Sequence, residues 1–175
     1  MLRRLVVALL GLVAATAHAE ECLIERFPDI AVTFIRNRPA VPVGINGHYV
    51  FFMLDTGFTK TAITPATQAR FQLPIDGRFQ VKGFGTGGVS ISPYATVGQF
   101  EFSGQTYINP TFPVIGVDAP IGTKGDQADL YAGVIGGDFL LKYDVELDFP
   151  DKVMRLYRRP ACYGPRPRCS NDRAT

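Results

Sequence analysis

The sequence predicts an all-β fold. Many short apolar runs cross the chain, each long enough for a strand and too short for a long helix. Eighteen glycines and thirteen prolines fall largely between those runs, where turns are needed. Few stretches repeat apolar residues at helical spacing, so at most one or two short helices are expected.

The opening residues stand apart. Arg3 and Arg4 precede an apolar run from Leu5 to Ala15, and Ala17-His18-Ala19 supplies a small-x-small cleavage pattern. The run is shorter than the roughly 20 residues that span a bilayer. Residues 1–19 are expected to be a cleaved signal peptide, with an uncleaved anchor as the alternative. The protein would then be periplasmic or extracellular, with no membrane span after cleavage. Removing Arg3 and Arg4 leaves sixteen basic against sixteen acidic residues. With that balance and no basic stripe along the chain, nothing points to nucleic acid or anionic lipid as a partner.

The elements follow in order. Ala31–Phe34 reads as a strand, turned by Arg36–Pro39 into a second strand, Ala40–Val43. Asn46-Gly47 tolerates positive φ and marks a hairpin. Tyr49–Leu54 is apolar throughout, the pattern of a strand buried on both faces. Thr61–Ile63 resumes as strand, and Thr64 caps a short helix with Pro65 in its first turn. Phe79–Lys82 and Val89–Ile91 flank a glycine-rich hairpin. Tyr94–Val97, Glu101-Phe102, Thr106–Ile108 and Phe112–Ile115 read as strands, and Asp118–Asp129 as a surface loop. Ala132–Ile135 is a buried strand broken by Gly136-Gly137, with Asp138 capping a short helix through Lys142. Tyr143–Phe149 and Val153–Tyr157 close the fold as a hairpin. Phe51, Phe52 and Phe139 are expected in the core. The domain is placed at 20–160, and a proline- and arginine-rich tail at 161–175.

Chemistry is narrowed by elimination. After signal removal His48 is the one histidine left, which rules out a His-Glu-x-x-His zinc site. No Gly-x-Ser-x-Gly elbow accompanies it. Gly83, Gly85 and Gly88 match the spacing of a dinucleotide fingerprint, but Val89-Ser90-Ile91-Ser92-Pro93 follows instead of a helix. Neither a metal nor a cofactor is expected. Cys22, Cys162 and Cys169 lie in the outer segments with no histidine near them in sequence. In an exported chain one pair could oxidise. Either Cys162 joins Cys169, or Cys22 ties the first strand to the tail.

Asp55-Thr56-Gly57 is the informative triplet. It directly follows six largely apolar residues, so a carboxylate stands at the end of a buried strand, where an unpaired charge is expensive. Catalysis supplies a reason for that placement. Two such carboxylates held close share one proton, and the ionised one can activate a water.

In this context the chain resembles the retropepsin-like aspartic peptidases, in particular exported bacterial members. The resemblance spans roughly Ile30 to Tyr157 and rests on three blocks. The first is Val41–Gly47 leading through Phe52-Met53-Leu54 into Asp55-Thr56-Gly57. The second is the glycine-rich hairpin. The third is Ala132–Leu140, followed by Tyr143–Phe149. The resemblance implies a closed β-barrel with one or two short helices. It implies Asp55 as the catalytic aspartate, with Thr56 and Gly57 as its loop partners. Gly83, Phe84, Gly85, Thr86 and Gly87 would form a flap over a peptide or protein substrate, and Val134, Ile135 and Gly136 would support the catalytic loop. One triplet per chain implies a homodimer. The sequence departs from the family at Phe58, where a small residue is usual. That departure keeps a second reading open, a catalytically inactive binding module of the same fold.

Overall fold

Two tight hairpins near the start of the domain set the register of its central sheet. The computed structural model describes residues 24–85, 88–115 and 131–158. At the first hairpin Arg36 and Asn37 have φ of 52° and 61°, and at the second Asn46 and Gly47 have 49° and 81°. Two consecutive positive φ values make the turn whose twist matches the strands it joins. The first turn needs only two residues, so strand pairing resumes at Arg38 rather than after Pro39.

The strands are β1 (Glu25–Arg26), β2 (Ile30–Ala31), β3 (Thr33–Ile35), β4 (Arg38–Ile45), β5 (His48–Leu54) and β6 (Ala62–Ile63). Helix α1 (Pro65–Arg70) comes next, then β7 (Ile75–Gly85), β8 (Gly88–Thr96), β9 (Gln99–Phe102), β10 (Gln105–Ile108) and β11 (Thr111–Pro113). After the undescribed stretch come β12 (Gly133–Ile135), α2 (Gly137–Leu140), β13 (Asp144–Asp148) and β14 (Val153–Arg158). The largest sheet runs β10-β9-β4-β5-β12-β6, with β3 also on β4. A bridge from Ile63 to Val114 continues it toward a second sheet, β11-β8-β7. The third sheet, β1-β14-β13 with β2 on β14, closes the other end. The result is the expected all-β architecture with two short helices, its main sheet curled into a half-barrel. Among the described residues no helix is long and apolar enough to cross a membrane.

The hollow of the curl is filled by aromatic rings. Phe100 lies 4.9 Å from Phe112, 5.5 Å from Phe139 and 5.8 Å from Phe52, measured between centroids. Tilted and edge-on ring pairs of this kind add about 0.5–1.5 kcal/mol each beyond area burial. Val41, Val43, Ile45, Met154 and Leu156 complete the core from the strands.

Three expectations are corrected. Strand β5 is not buried on both faces throughout. Tyr49 is 75% exposed and Phe51 40%, so Phe51 is not a core residue, whereas Phe52 and Phe139 are buried. The first half of β5 alternates, with Val50 and Phe52 inward, and only Phe52–Leu54 is buried continuously. Those are the residues that pair with β12, and Arg38 donates to the Met53 sulfur at 3.5 Å. Second, the predicted strands 89–91 and 94–97 are one strand, β8. Pro93 sits inside it because the ladder is already irregular there, with a register shift between Asp76 and Gln80 of β7. Third, Asp138 does not cap α2, whose N-cap is Gly136.

Helix α1 starts as its sequence predicts. The Thr64 hydroxyl accepts from the Thr67 backbone N–H at 3.1 Å, and Pro65 opens the first turn. Expectations for 1–23, 86–87, 116–130 and 159–175 lie outside the described residues. They include the signal peptide, the tail, the three cysteines and the loop at 118–129.

Between the helical turn and the closing hairpin, the Tyr143 hydroxyl shares a 3.0 Å hydrogen bond with that of Tyr107, and its ring meets Phe27 edge-on. Burial first, then the Tyr107 hydrogen bond, pushes the Tyr143 phenol above its usual range. An unfolded tyrosine ionises near pH 10. Above that pH the unfolded chain binds fewer protons than the folded one, so stability falls as pH rises. The urea midpoint should therefore drop between pH 8 and 10.5, and drop less in Tyr143→Phe. Equal drops in both proteins would rule Tyr143 out as a source.

Candidate active site

The end of β5 delivers Asp55 into a turn whose shape is set by its own side chain. Leu54 is the last ladder residue, and the Asp55 N–H donates to Ile135 C=O at 3.2 Å, just beyond the parallel pairing of Leu54 with Ile135. The Phe58 N–H then donates to Asp55 C=O at 3.2 Å, closing a four-residue turn. The Gly57 N–H donates to Asp55 Oδ1 at 2.9 Å. This Asx-type bond supplies the donor that the sequence alone does not name for a carboxylate at a strand end. Asp55 is half-buried, and Thr56 and Gly57 are exposed at the turn's crest. A Cβ on Gly57 would stand 3.3 Å from Asp55 Oδ1, close enough to press on that carboxylate oxygen.

The floor under this turn is the β12–α2 junction. Strand β12 lies between β5, parallel to it, and β6, antiparallel. Val134 and Ile135 are fully buried there, beside Met53 and Leu54. Beyond them the chain presents two backbone donors to the turn's far limb. The Gly137 N–H reaches Phe58 C=O at 2.7 Å, and the Asp138 N–H reaches Thr59 C=O at 3.2 Å. Two close approaches explain the glycines. A Cβ at Gly136 would lie 2.6 Å from the Lys60 carbonyl carbon and 2.8 Å from Phe58 O. One at Gly133 would strike the Ala62 carbonyl oxygen and the Phe52 ring.

Asp138 does not cap α2. Gly136 occupies the N-cap without a side-chain bond, and Asp138 lies inside the first turn. Its carboxylate instead accepts from the Thr61 N–H at 2.7 Å and the Thr61 hydroxyl at 2.8 Å. The same hydroxyl accepts from the Gly136 N–H at 3.0 Å. Thr61 is fully buried. Sequence reading missed this group because its partners are 77 residues apart. The one available signal was a hydroxyl at the start of a buried strand, which must find partners somewhere.

The predicted site residues therefore divide. Asp55, Thr56 and Gly57 come together with Val134, Ile135 and Gly136. Gly83, Phe84 and Gly85 lie in the β7–β8 hairpin, paired with Ser90, Val89 and Gly88, and Thr86 and Gly87 fall outside the described residues. The hydrogen bonds that fix the Asp55 turn come from β12 and α2 rather than from this hairpin. Phe58 is half-buried, and its backbone groups are held on both sides of the peptide, so the turn forms with a large residue there. His48 is exposed, beside Phe71.

This fold is retropepsin-like. The solved structure of a retropepsin-like aspartic protease from Rickettsia conorii superposes with a TM-score of 0.52 at 14% identity, covering 79% of this chain and 96% of that one. The family model described as Aspartyl protease matches residues 41–139, from β4 through the turn of Asp55 to α2. The chain belongs to that family. No curated protein matches it in sequence.

Proposed function

We propose that the chain is an aspartic-type endopeptidase that works as a homodimer, with Asp55 from each subunit forming one catalytic pair. The observation that carries the reading is a single half-buried carboxylate at an exposed turn, framed by β12 and α2 and held by its own Gly57 N–H. Two like carboxylates across a two-fold axis do not both ionise easily, so they share a proton. The ionised one takes a proton from water as it attacks the peptide carbonyl. The protonated one hydrogen-bonds the carbonyl oxygen as charge develops there. Thr56 provides a hydroxyl to lock the two turns together at the axis. The hairpin containing Gly83, Phe84, Gly85, Thr86 and Gly87 covers the bound peptide. Residues 1–19 direct export, so the substrate is a peptide or protein met in the periplasm or outside the cell.

Phe58 supports a second reading, in which its half-buried ring leaves a folded dimer that binds peptides without cleaving them. Incubating residues 20–175 with a mixed peptide library from acid to neutral pH separates the two. The peptidase reading expects cleavage strongest in acid and fading as the shared proton is lost, together with a dimer by sedimentation. A folded dimer that cleaves nothing across that range would favour the binding module.

A further inference from the structure

We infer that Asp138 is a positioning residue for the Asp55 turn, acting through Thr61. The inference rests on the peptidase reading for its effect on rate, but its structural content does not depend on it. The turn leaves β5 at Asp55 and must rejoin the sheet at Ala62. Apart from the Phe58 N–H bond to Asp55 C=O inside the turn, its far limb, Phe58–Thr61, is tied down by bonds to the β12–α2 junction. Two of those bonds are backbone to backbone, Gly137 to Phe58 and Asp138 to Thr59. The side-chain part is a closed relay. The Gly136 N–H donates to the Thr61 hydroxyl, that hydroxyl donates to Asp138 Oδ1, and the Thr61 N–H donates to the same oxygen.

Each member of the relay has a role that a different side chain would not fill. Thr61 is fully buried, so its hydroxyl and N–H both require protein partners. One Asp138 oxygen accepts both, at 2.7 and 2.8 Å. The hydroxyl then has its lone pairs turned toward Gly136 N–H, and Gly136 can come this close because it has no Cβ to meet the Lys60 and Phe58 backbones. Ile135 C=O, one residue back, holds the Asp55 N–H. Asp138 therefore clamps the limb after Phe58 to the segment that also holds the limb before it. Loss of the carboxylate leaves two buried Thr61 donors without an acceptor, and they can recover partners only if the limb moves.

The test compares Asp138→Ala, Asp138→Asn and Thr61→Val with the unaltered protein. An asparagine keeps one acceptor oxygen where both donors point; alanine keeps none. With a fluorogenic peptide, Asp138→Ala should lower kcat roughly a hundredfold, the scale of a displacement of about 1 Å. KM should stay within about threefold, because the loss falls on the reacting group rather than on peptide binding. Asp138→Asn should restore most of that loss. Amide hydrogen exchange across 55–61, read in parallel, should speed up in Asp138→Ala and Thr61→Val and not in Asp138→Asn. Exchange of this kind needs no turnover. An inactive unaltered protein would sink the peptidase reading and still leave the clamp decided by exchange. Unchanged exchange at 55–61 in a folded Asp138→Ala, or a kcat equal in the alanine and unaltered proteins, would overturn the inference. Should Asp138→Ala not fold, Thr61→Val against Thr61→Ser gives the same comparison from the other partner.

Discussion

Replacing Asp55 by asparagine should abolish peptide hydrolysis while leaving the fold and the dimer in place. The substitution keeps the side chain's shape, and an amide oxygen can still accept the Gly57 N–H that Asp55 Oδ1 now takes at 2.9 Å. What it removes is the carboxylate proposed to accept a proton from water. An amide is not a base at any working pH, and in a symmetric dimer both halves of the pair are lost at once. General acid–base groups contribute about 10²–10⁴-fold each. A fall in kcat of at least about 10³-fold, or about 4 kcal/mol of transition-state stabilisation, is expected. Steady-state rates beside circular dichroism and sedimentation check it. Residual cleavage within tenfold of the unaltered protein, from a preparation free of contaminating peptidase, would remove Asp55 from the catalytic role.

Gly136→Ala should destabilise the fold and disturb the Asp55 turn together. The backbone at Gly136 has φ of −103° and ψ of −176°, which any residue adopts, so the obstacle is space and not conformation. The added carbon would meet Lys60 O at 2.7 Å and Phe58 O at 2.8 Å, both backbone atoms that no rotamer change can move. To relieve the clash, the limb 58–60 must lift away from β12. That motion stretches the Gly137–Phe58 and Asp138–Thr59 bonds and the bond from Gly136 to Thr61. Overpacking alone costs about 1–3 kcal/mol, and three hydrogen bonds that are stretched but not broken each cost only part of about 1 kcal/mol more. A total near 3 kcal/mol is a large share of the roughly 5–15 kcal/mol that holds a domain folded. The thermal midpoint should fall by roughly 10 °C. Catalysis should fall with it even at temperatures where the protein stays folded. A midpoint within about 2 °C of the unaltered protein would mean that the limb is more compliant than its contacts suggest.

The site was partly legible in the sequence for a definite reason. Asp55, Thr56 and Gly57 are adjacent, and their apolar approach strand is local. The Asn46-Gly47 turn and the Thr64 cap were legible for the same reason, since each is a bargain between neighbours in the chain. The relay of Gly136, Thr61 and Asp138 was not. Asp138 beside two glycines looks like a helix cap, but Gly136 takes that position and Asp138 falls within the first turn of α2. Its carboxylate serves Thr61 instead, a residue 77 positions earlier. The exposed Phe51 was misread by the same limitation. An apolar run reports that a strand is worth burying, but only its three-dimensional neighbours decide how much of it is covered, and the Phe51 side chain stays 40% exposed although Ala132 bonds its carbonyl.

The sequence by itself thus determined an all-β chain with short helices, the positions of its hairpins, the triplet proposed to carry the chemistry, and its family. Those follow from residue-local physics: backbone dihedral preference, capping, and alternation along a strand. Tertiary structure alone decided which face of β5 is covered, why Gly133 and Gly136 must be glycine, and what holds the Asp55 turn in place. Each of these depends on a contact between segments distant in the chain. Such contacts are made where buried donors, acceptors and ring volumes must be matched in three dimensions, and no local pattern records them.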